Sequence, residues 1–219
     1  MPMRIRLIFI VSLLLAVTVL AAFDPVTPSA QDLDQKVKAF LDGRRGQWQD
    51  LNVSANDGKI LYDLVLKNNY KRALDIGTST GHSGIWIAWA LSKTGGKLIT
   101  IEIDEGPYRQ AVANFREAGL ADYVDARLAD AHDLVPALKG PFDFVFCDAD
   151  KGWYKNYFMA VLPKLEVGGC FAAHNVTERI RGWVGPEFIA YVEGLPNMET
   201  TFALGSEAGI SISYKRSAK

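Results

Sequence analysis

Two carboxylates and an amine sit together at Asp148-Ala149-Asp150-Lys151, directly after the apolar run Phe144–Cys147. A carboxylate can hold a metal ion or a hydroxyl, and an amine that has shed its proton can act as a base. A second apolar run, Gly169–Ala173, ends in His174-Asn175. Carboxylate, imidazole and amide oxygen together make a ligand set for a divalent metal. Upstream, Asp75 opens the glycine-containing turn Ile76-Gly77-Thr78-Ser79-Thr80-Gly81-His82-Ser83, and Glu102 closes another apolar run. Each group alone has an ordinary explanation as a solvated loop, a turn or a helix cap.

The elements between these groups argue for a shared site. Strand-like runs cover Arg72–Ile76, Lys97–Ile103, Tyr123–Leu128, Phe142–Cys147 and Gly169–Ala173. Helix-like runs cover Ser83–Ser92, Tyr108–Ala118, His132–Leu138 and Trp153–Leu165. Strands alternating with helices at this spacing predict a doubly wound α/β sheet, mostly parallel. Amphipathic helices precede it at Gln31–Phe40 and around Ile60–Val65, separated by the polar loop Asn52–Gly58. Beyond a helix at Gly185–Glu193, Thr200–Leu204 and Gly209–Tyr214 read as an antiparallel hairpin closing the sheet, which then has seven strands. Every charged group named above falls at the carboxyl end of a strand, the edge where open α/β sheets bind ligands.

The individual edges then acquire roles. The turn after Asp75 lacks both the Gly-x-Gly of a dinucleotide site and the Gly-Lys-Ser/Thr of a triphosphate loop. Its glycines permit close backbone approach, the helix from Ser83 directs N–H groups at a ligand, and Asp75 repels a diphosphate but attracts an ammonium group. Glu102, at the end of the second strand, is placed to accept both hydroxyls of a ribose, while Asp104 suits a helix cap. A polar loop after the third strand lies next to where an adenine would rest, and Asp130 or His132 could meet its amino edge.

The chain has 219 residues and a net charge of −1, which suits one domain with a sizeable core and gives no electrostatic footprint for nucleic acid. Its two cysteines, Cys147 and Cys170, lie in apolar runs and indicate neither a disulfide framework nor a metal-type spacing. Residues 1–30 stand apart: Arg4 and Arg6, the apolar stretch 7–23 and a Pro-rich spacer predict a signal peptide or a retained membrane anchor. The domain of residues 31–219 would then be exported, periplasmic or secreted, or tethered outside the membrane.

The residues Ala73–Ser83, Thr100–Asp104, Phe142–Tyr154 and the His174-Asn175 corner resemble the class I S-adenosylmethionine-dependent methyltransferases, with their Rossmann-like fold. Asp148-Ala149-Asp150-Lys151 with Tyr154 and Tyr157 is similar to the catechol and caffeoyl-CoA O-methyltransferase family, and the likeness runs from about Asn52 to Lys215. The resemblance implies S-adenosylmethionine as cofactor. It implies Val53, Asp75, Gly77, Gly81, Ser83, Glu102, Asp130, Ala131, His132 and Asp148 as cofactor-binding residues, and Lys151 as the base near an accepting hydroxyl. Asp148, His174 and Asn175 would be the metal ligands. The acceptor would be a small hydroxylated aromatic molecule, catechol-like. The family is often dimeric, which leaves a homodimer open.

One departure bears on the metal. The family usually has Asp-Asn where this chain has His174-Asn175. Imidazole in place of carboxylate removes a negative charge and shifts preference from magnesium toward manganese, iron or zinc. The metal therefore differs, or binds weakly, or has been lost. A second reading stands beside the enzyme: an exported protein that keeps the cofactor fold without methyl transfer, because the cofactor is made inside cells. Asp75 and the missing Gly-x-Gly disfavour a nicotinamide-dependent dehydrogenase.

Overall fold

A computed structural model describes residues 30–48, 51–176, 185–206 and 208–218. The expected leader and spacer, apart from Ala30, lie outside the described residues, as do residues 177–184.

Two helices, α1 (Ala30–Gly43) and α2 (Ala55–Asn68), precede the sheet. The alternating part runs β1 (Arg72–Ile76), α3 (His82–Thr94), β2 (Lys97–Glu102), α4 (Glu105–Glu117), β3 (Val124–Leu128), α5 (Ala131–Ala137), β4 (Phe142–Cys147), α6 (Tyr154–Val161) and β5 (Leu165–His174). Then follow α7 (Gly185–Glu193), β6 (Met198–Phe202) and β7 (Ile210–Lys215). The strand order is β3-β2-β1-β4-β5-β7-β6. The first five strands are parallel, β7 runs antiparallel to β5, and β6 antiparallel to β7. This is the doubly wound, mostly parallel seven-stranded sheet with a C-terminal antiparallel hairpin that the alternation implies.

The two-residue period of the strands sorts their side chains to two cores. Ala73, Phe144, Phe146, Cys170 and Ala172 pack with Leu61 and Val65 of α2 and with α3 on one face. Leu74, Ile76, Val145, Cys147, Phe171 and Ala173 pack with Tyr157 and Phe158 of α6 and with Phe188 of α7 on the other. Each fully buried aromatic of this kind contributes roughly 1.5–3 kcal/mol of transfer free energy. The parity has a consequence for function. Residue 174 follows Ala173 onto the α2 face, and residue 148 follows Cys147 onto the same face.

Several boundaries differ from the sequence reading. β5 begins at Leu165, where a continued helix was expected, because α6 ends at Val161 and a 3-10 turn carries Pro163 into the strand. Proline has no N–H to extend an α-helical ladder, whereas it fits a tight turn. β6 starts two residues early, at Met198, and β2 stops at Glu102 rather than Ile103. The loop Asn52–Gly58 is shorter than it reads: Ser54 accepts a hydrogen bond from the Asp57 N–H at 3.0 Å and starts α2 at Ala55.

Candidate active site

The carboxyl ends of β1, β2, β4 and β5 open into a cavity of about 840 Å³. It is lined by Gly77, Glu102, Asp130, Ala131, His132, Asp148, Lys151, His174 and Asn175 among the residues singled out from the sequence. Asn52, Asp57, Ser79 and Tyr157 also line it. Ladder bonding holds the edges in register: the Asp148 N–H donates to the Ile76 carbonyl at 2.9 Å, and the Gly77 and Thr78 N–H groups donate to Ile101 at 3.1 and 3.0 Å. Gly77 has φ +93°, and a Cβ there would meet Ala149 at 2.9 Å, so the two loops close on each other only with glycine at this position.

At one end of the cavity Glu102 is held by three backbone amides. Its Oε2 accepts from Ser79 at 2.8 Å, and its Oε1 accepts from Ile103 at 3.0 Å and Asp104 at 2.9 Å. A carboxylate fixed this way keeps lone pairs for a diol, since its two oxygens offer about four acceptor positions. Asp104 stands at the N-cap of α4 but makes no side-chain cap bond. Beside Glu102, Asp130 caps α5 by accepting from the His132 N–H at 2.8 Å. The His132 ring packs on Trp153, 4.1 Å between centroids, and lies near-parallel to Tyr157.

Four residues expected to touch a cofactor stand behind the cavity wall rather than in it. Asp75 is fully buried. Its Oδ2 accepts hydroxyl protons from Thr78 at 3.0 Å, Ser83 at 3.1 Å and Thr100 at 2.9 Å, so Asp75 and Ser83 tie the turn to β2 and α3. Burial raises the Asp75 carboxyl to about 7 despite those three donors. Its Oδ1 is buried without a hydrogen-bond partner. Gly81, φ +98°, lies against α4, where a Cβ would meet Phe115 at 3.1 Å and Ala111 at 3.2 Å. Val53 is buried, and its carbonyl contacts His82 Nδ1 at 2.8 Å. The parity of β1 explains Asp75: it points to the α2–α3 face, between Leu74 and Ile76 on the other.

At the opposite end a chain of charged side chains crosses from α2 to the loop after β4. His174 Nε2 lies 3.1 Å from Asp57 Oδ2, and its Nδ1 lies 2.9 Å from Asp148 Oδ2. Asp148 Oδ1 accepts a hydrogen bond from Lys151 Nζ. Lys151 Nζ also donates to the Tyr154 hydroxyl at 3.0 Å, and that hydroxyl lies 3.3 Å from the His174 carbonyl. The Asp57, His174 and Asp148 side chains are all nearly or fully buried. Burial pulls the His174 pKa down, but hydrogen bonds and charge from Asp148 and Asp57 outweigh it and hold it up at about 9. Burial likewise pushes Asp57 up, yet the His174 and Ser206 hydrogen bonds bring its carboxyl below the usual carboxylate range. Burial puts the Tyr154 hydroxyl well above the ordinary phenol range.

Those contacts decide how the expected metal ligands fit. Both His174 nitrogens face carboxylate oxygens, so both carry protons and neither presents a lone pair. Both Asp148 oxygens already face a cation. Of the set Asp148, His174 and Asn175, only Asn175 keeps an uncommitted ligand type, from a left-handed backbone at φ 57°. Among the described residues no group of three or more His, Cys, Asp or Glu is arranged to hold a metal ion. The three residues do not fit a divalent ion in this arrangement.

Asp57 was not singled out from the sequence, although two signals were present. Ser54 and Asp57 have the spacing of a cap and its third helical residue, and Asp57 falls four residues before buried Leu61 and eight before buried Val65. A carboxylate on the buried stripe of an amphipathic helix needs a partner. Trp48 lines a separate cavity of about 700 Å³ with Tyr62, Trp86 and Trp89, while Tyr154 is part of the core.

Residues 31–185 match the family model described as O-methyltransferase. The chain is 41% identical over 130 residues to a catechol O-methyltransferase of Niastella koreensis, covering 58% of each chain. It is 33% identical over 133 residues to caffeoyl-CoA O-methyltransferase 1 of Eucalyptus globulus, covering 58% of this chain and 54% of that one. The matched stretch thus spans somewhat more than half the length of these relatives. Among solved structures, the O-methyltransferase TomG from Streptomyces achromogenes, in complex with SAM, superposes with a TM-score of 0.68 at 29% identity, covering 87% of this chain and 91% of that one. With that family model extending over most of the chain, the protein belongs to the O-methyltransferase family.

Proposed function

We propose that the protein transfers a methyl group from S-adenosylmethionine to a hydroxyl of a small, catechol-like aromatic acceptor. The observation that carries this reading is that one cavity has the braced carboxylate of Glu102 at one end and the amine of Lys151 at the other. The relatives support the acceptor class, being named for catechol and caffeoyl-CoA, and TomG supports the cofactor.

When bound, S-adenosylmethionine supplies a methyl on a sulfonium sulfur, already electrophilic. Glu102 would accept the ribose hydroxyls, and Gly77 would let the backbone approach the remainder. Asp75, behind the cavity wall, would hold the turn in shape through Thr78, Ser83 and Thr100 rather than touch the cofactor. The chain's work is then to align an oxygen nucleophile and to remove its proton. A phenol with an ordinary pKa of about 10 is mostly neutral at pH 7 and reacts faster once deprotonated. Lys151, which rests as an ammonium on Asp148, first gives its own proton to solvent and in that neutral form takes the phenol's proton. With the methyl passing from the cofactor's sulfur to the acceptor oxygen, the phenol's proton would end on Nζ, whose N–H groups would donate to Asp148 Oδ1 and the Tyr154 hydroxyl. No step is assigned to a metal, because the residues expected to ligate one are engaged with each other.

Titration calorimetry with S-adenosylmethionine, followed by product analysis with a panel of phenols and catechols, tests the reading. Saturable cofactor binding and methylated product are expected. Absence of cofactor binding would favour the second reading, an exported protein that keeps the cofactor fold without methyl transfer. Residues 7–23 are proposed to direct export or anchoring, which fractionation of cells expressing the full chain checks.

A further inference from the structure

Two carboxylates, Asp57 and Asp148, face each other across the β5 edge with the His174 ring between them. Leaving two carboxylates in a buried site without a counter-charge is costly. A divalent ion is one solution. This chain holds another: the His174 imidazolium bridges the pair, and Lys151 adds a second positive charge on Asp148. Two anions therefore meet two cations, all supplied by the protein. The bridge is also built from independent elements. Asp57 comes from the first turn of α2, His174 from the end of β5, and Asp148 from the loop after β4.

We infer that His174 stands in the place of a divalent metal, so that methyl transfer in this protein runs without one and Asp148 is oriented by the ring instead. His174 is in this view a positioning residue, acting on Lys151 through Asp148. The inference rests on the methyltransferase reading only for its activity measurement. It also bears on the acceptor. A metal with open coordination positions binds two vicinal oxygens at once, whereas an imidazolium with both N–H groups committed offers none. A second hydroxyl on the acceptor therefore gains no chelation here.

The test uses the full chain and manganese(II) alone as probe, followed by calorimetry and by the spin-resonance signal of free ion. The wild-type protein is expected to show no saturable manganese binding up to millimolar metal, and equal turnover with and without EDTA. His174→Asp is expected to acquire saturable manganese binding and a turnover that EDTA abolishes and manganese restores. Because three clustered carboxylates can prevent folding, His174→Asn serves as a second variant. It removes the bridging cation without adding a charge and should also bind manganese. Saturable binding by the wild type, or loss of its turnover in EDTA with recovery in manganese, overturns the inference. So does failure of both variants, shown folded by circular dichroism, to bind the ion. A wild type that binds S-adenosylmethionine yet methylates nothing in the panel would count against the proposed function, while the manganese titration would still decide the role of His174.

Discussion

Asp57 and His174 are 117 residues apart in the chain, and their side chains, both almost fully buried, meet at 3.1 Å. This contact ties α2 to the end of β5 and keeps the imidazole from turning away from Asp148. Removing one partner of a buried pair leaves the other charge uncompensated. Asp57→Asn is therefore expected to lower the unfolding free energy by roughly 3 kcal/mol at pH 7 in urea titrations. Adding His174→Asn should recover much of that loss, since the stranded charge is then gone. Additive losses in the double variant would show that the two side chains are not coupled.

Lys151 is oriented by groups on both sides, Asp148 and Tyr154, so its removal should affect chemistry more than cofactor binding. Lys151→Met is expected to reduce kcat by about a hundredfold or more, the usual scale for a lost general base. Lys151→Arg separates two roles. Arginine keeps the positive charge but does not give up its proton, so it should be as inactive as methionine if the amine accepts the acceptor's proton. An arginine variant near wild-type rate would reduce Lys151 to an electrostatic role.

Glu102 serves two loops at once through its bonds to Ser79, Ile103 and Asp104. Glu102→Gln keeps the volume but turns one acceptor oxygen into a donor, which then faces a backbone N–H. Hydrogen bonds to charged groups contribute about 1.5–3 kcal/mol each, so the dissociation constant for S-adenosylmethionine should rise roughly ten- to a hundredfold. Calorimetry measures this directly. At saturating cofactor kcat should change little, because Glu102 ends β2 and Lys151 follows β4, with β1 between the two strands. Unchanged affinity would move the ribose contact to another residue.

Much of this site could be read from the strand ends, because a doubly wound sheet brings the carboxyl ends of its parallel strands to one edge whatever their separation in sequence. That is how Gly77, Glu102, Asp148, Lys151 and His174 come to share a cavity. What the pattern left open was direction. Asp75 looked like a ligand contact until its place in β1 put it on the helix face, beneath Thr78, Ser83 and Thr100. The partner of His174 was hidden for another reason. Asp57 lies on α2, far along the chain, in a stretch whose Asn, Asp and Gly content suggests a loop, and only the Ser54 cap turns that stretch into a helix. The boundary of β5 depended on Pro163, which ends the helix a turn earlier than apolar periodicity implies.

His82 gives a pH dependence of the opposite sign to that of His174. Its Nδ1 lies 2.8 Å from the Val53 carbonyl, to which it donates, while its Nε2 accepts from the Trp86 indole N–H at 3.1 Å. The ring is buried and stacked on Trp48, 4.3 Å between centroids. A second proton would set Nε2–H against the Trp86 N–H. Burial accordingly lowers the His82 pKa from 6.5 to about 4. A depressed folded-state value means that the stability from neutral His82 is fully present above pH 6.5. It is lost as pH falls toward 4, because the unfolded chain takes up the proton first. By pH 4 the loss from this residue should reach roughly 3 kcal/mol. His82→Gln retains a donor and an acceptor but does not titrate. Urea unfolding from pH 7.5 to 4.5 should show the wild type losing stability more steeply than the variant below pH 6.5. Parallel slopes across that window would mean that His82 is protonated in the folded protein.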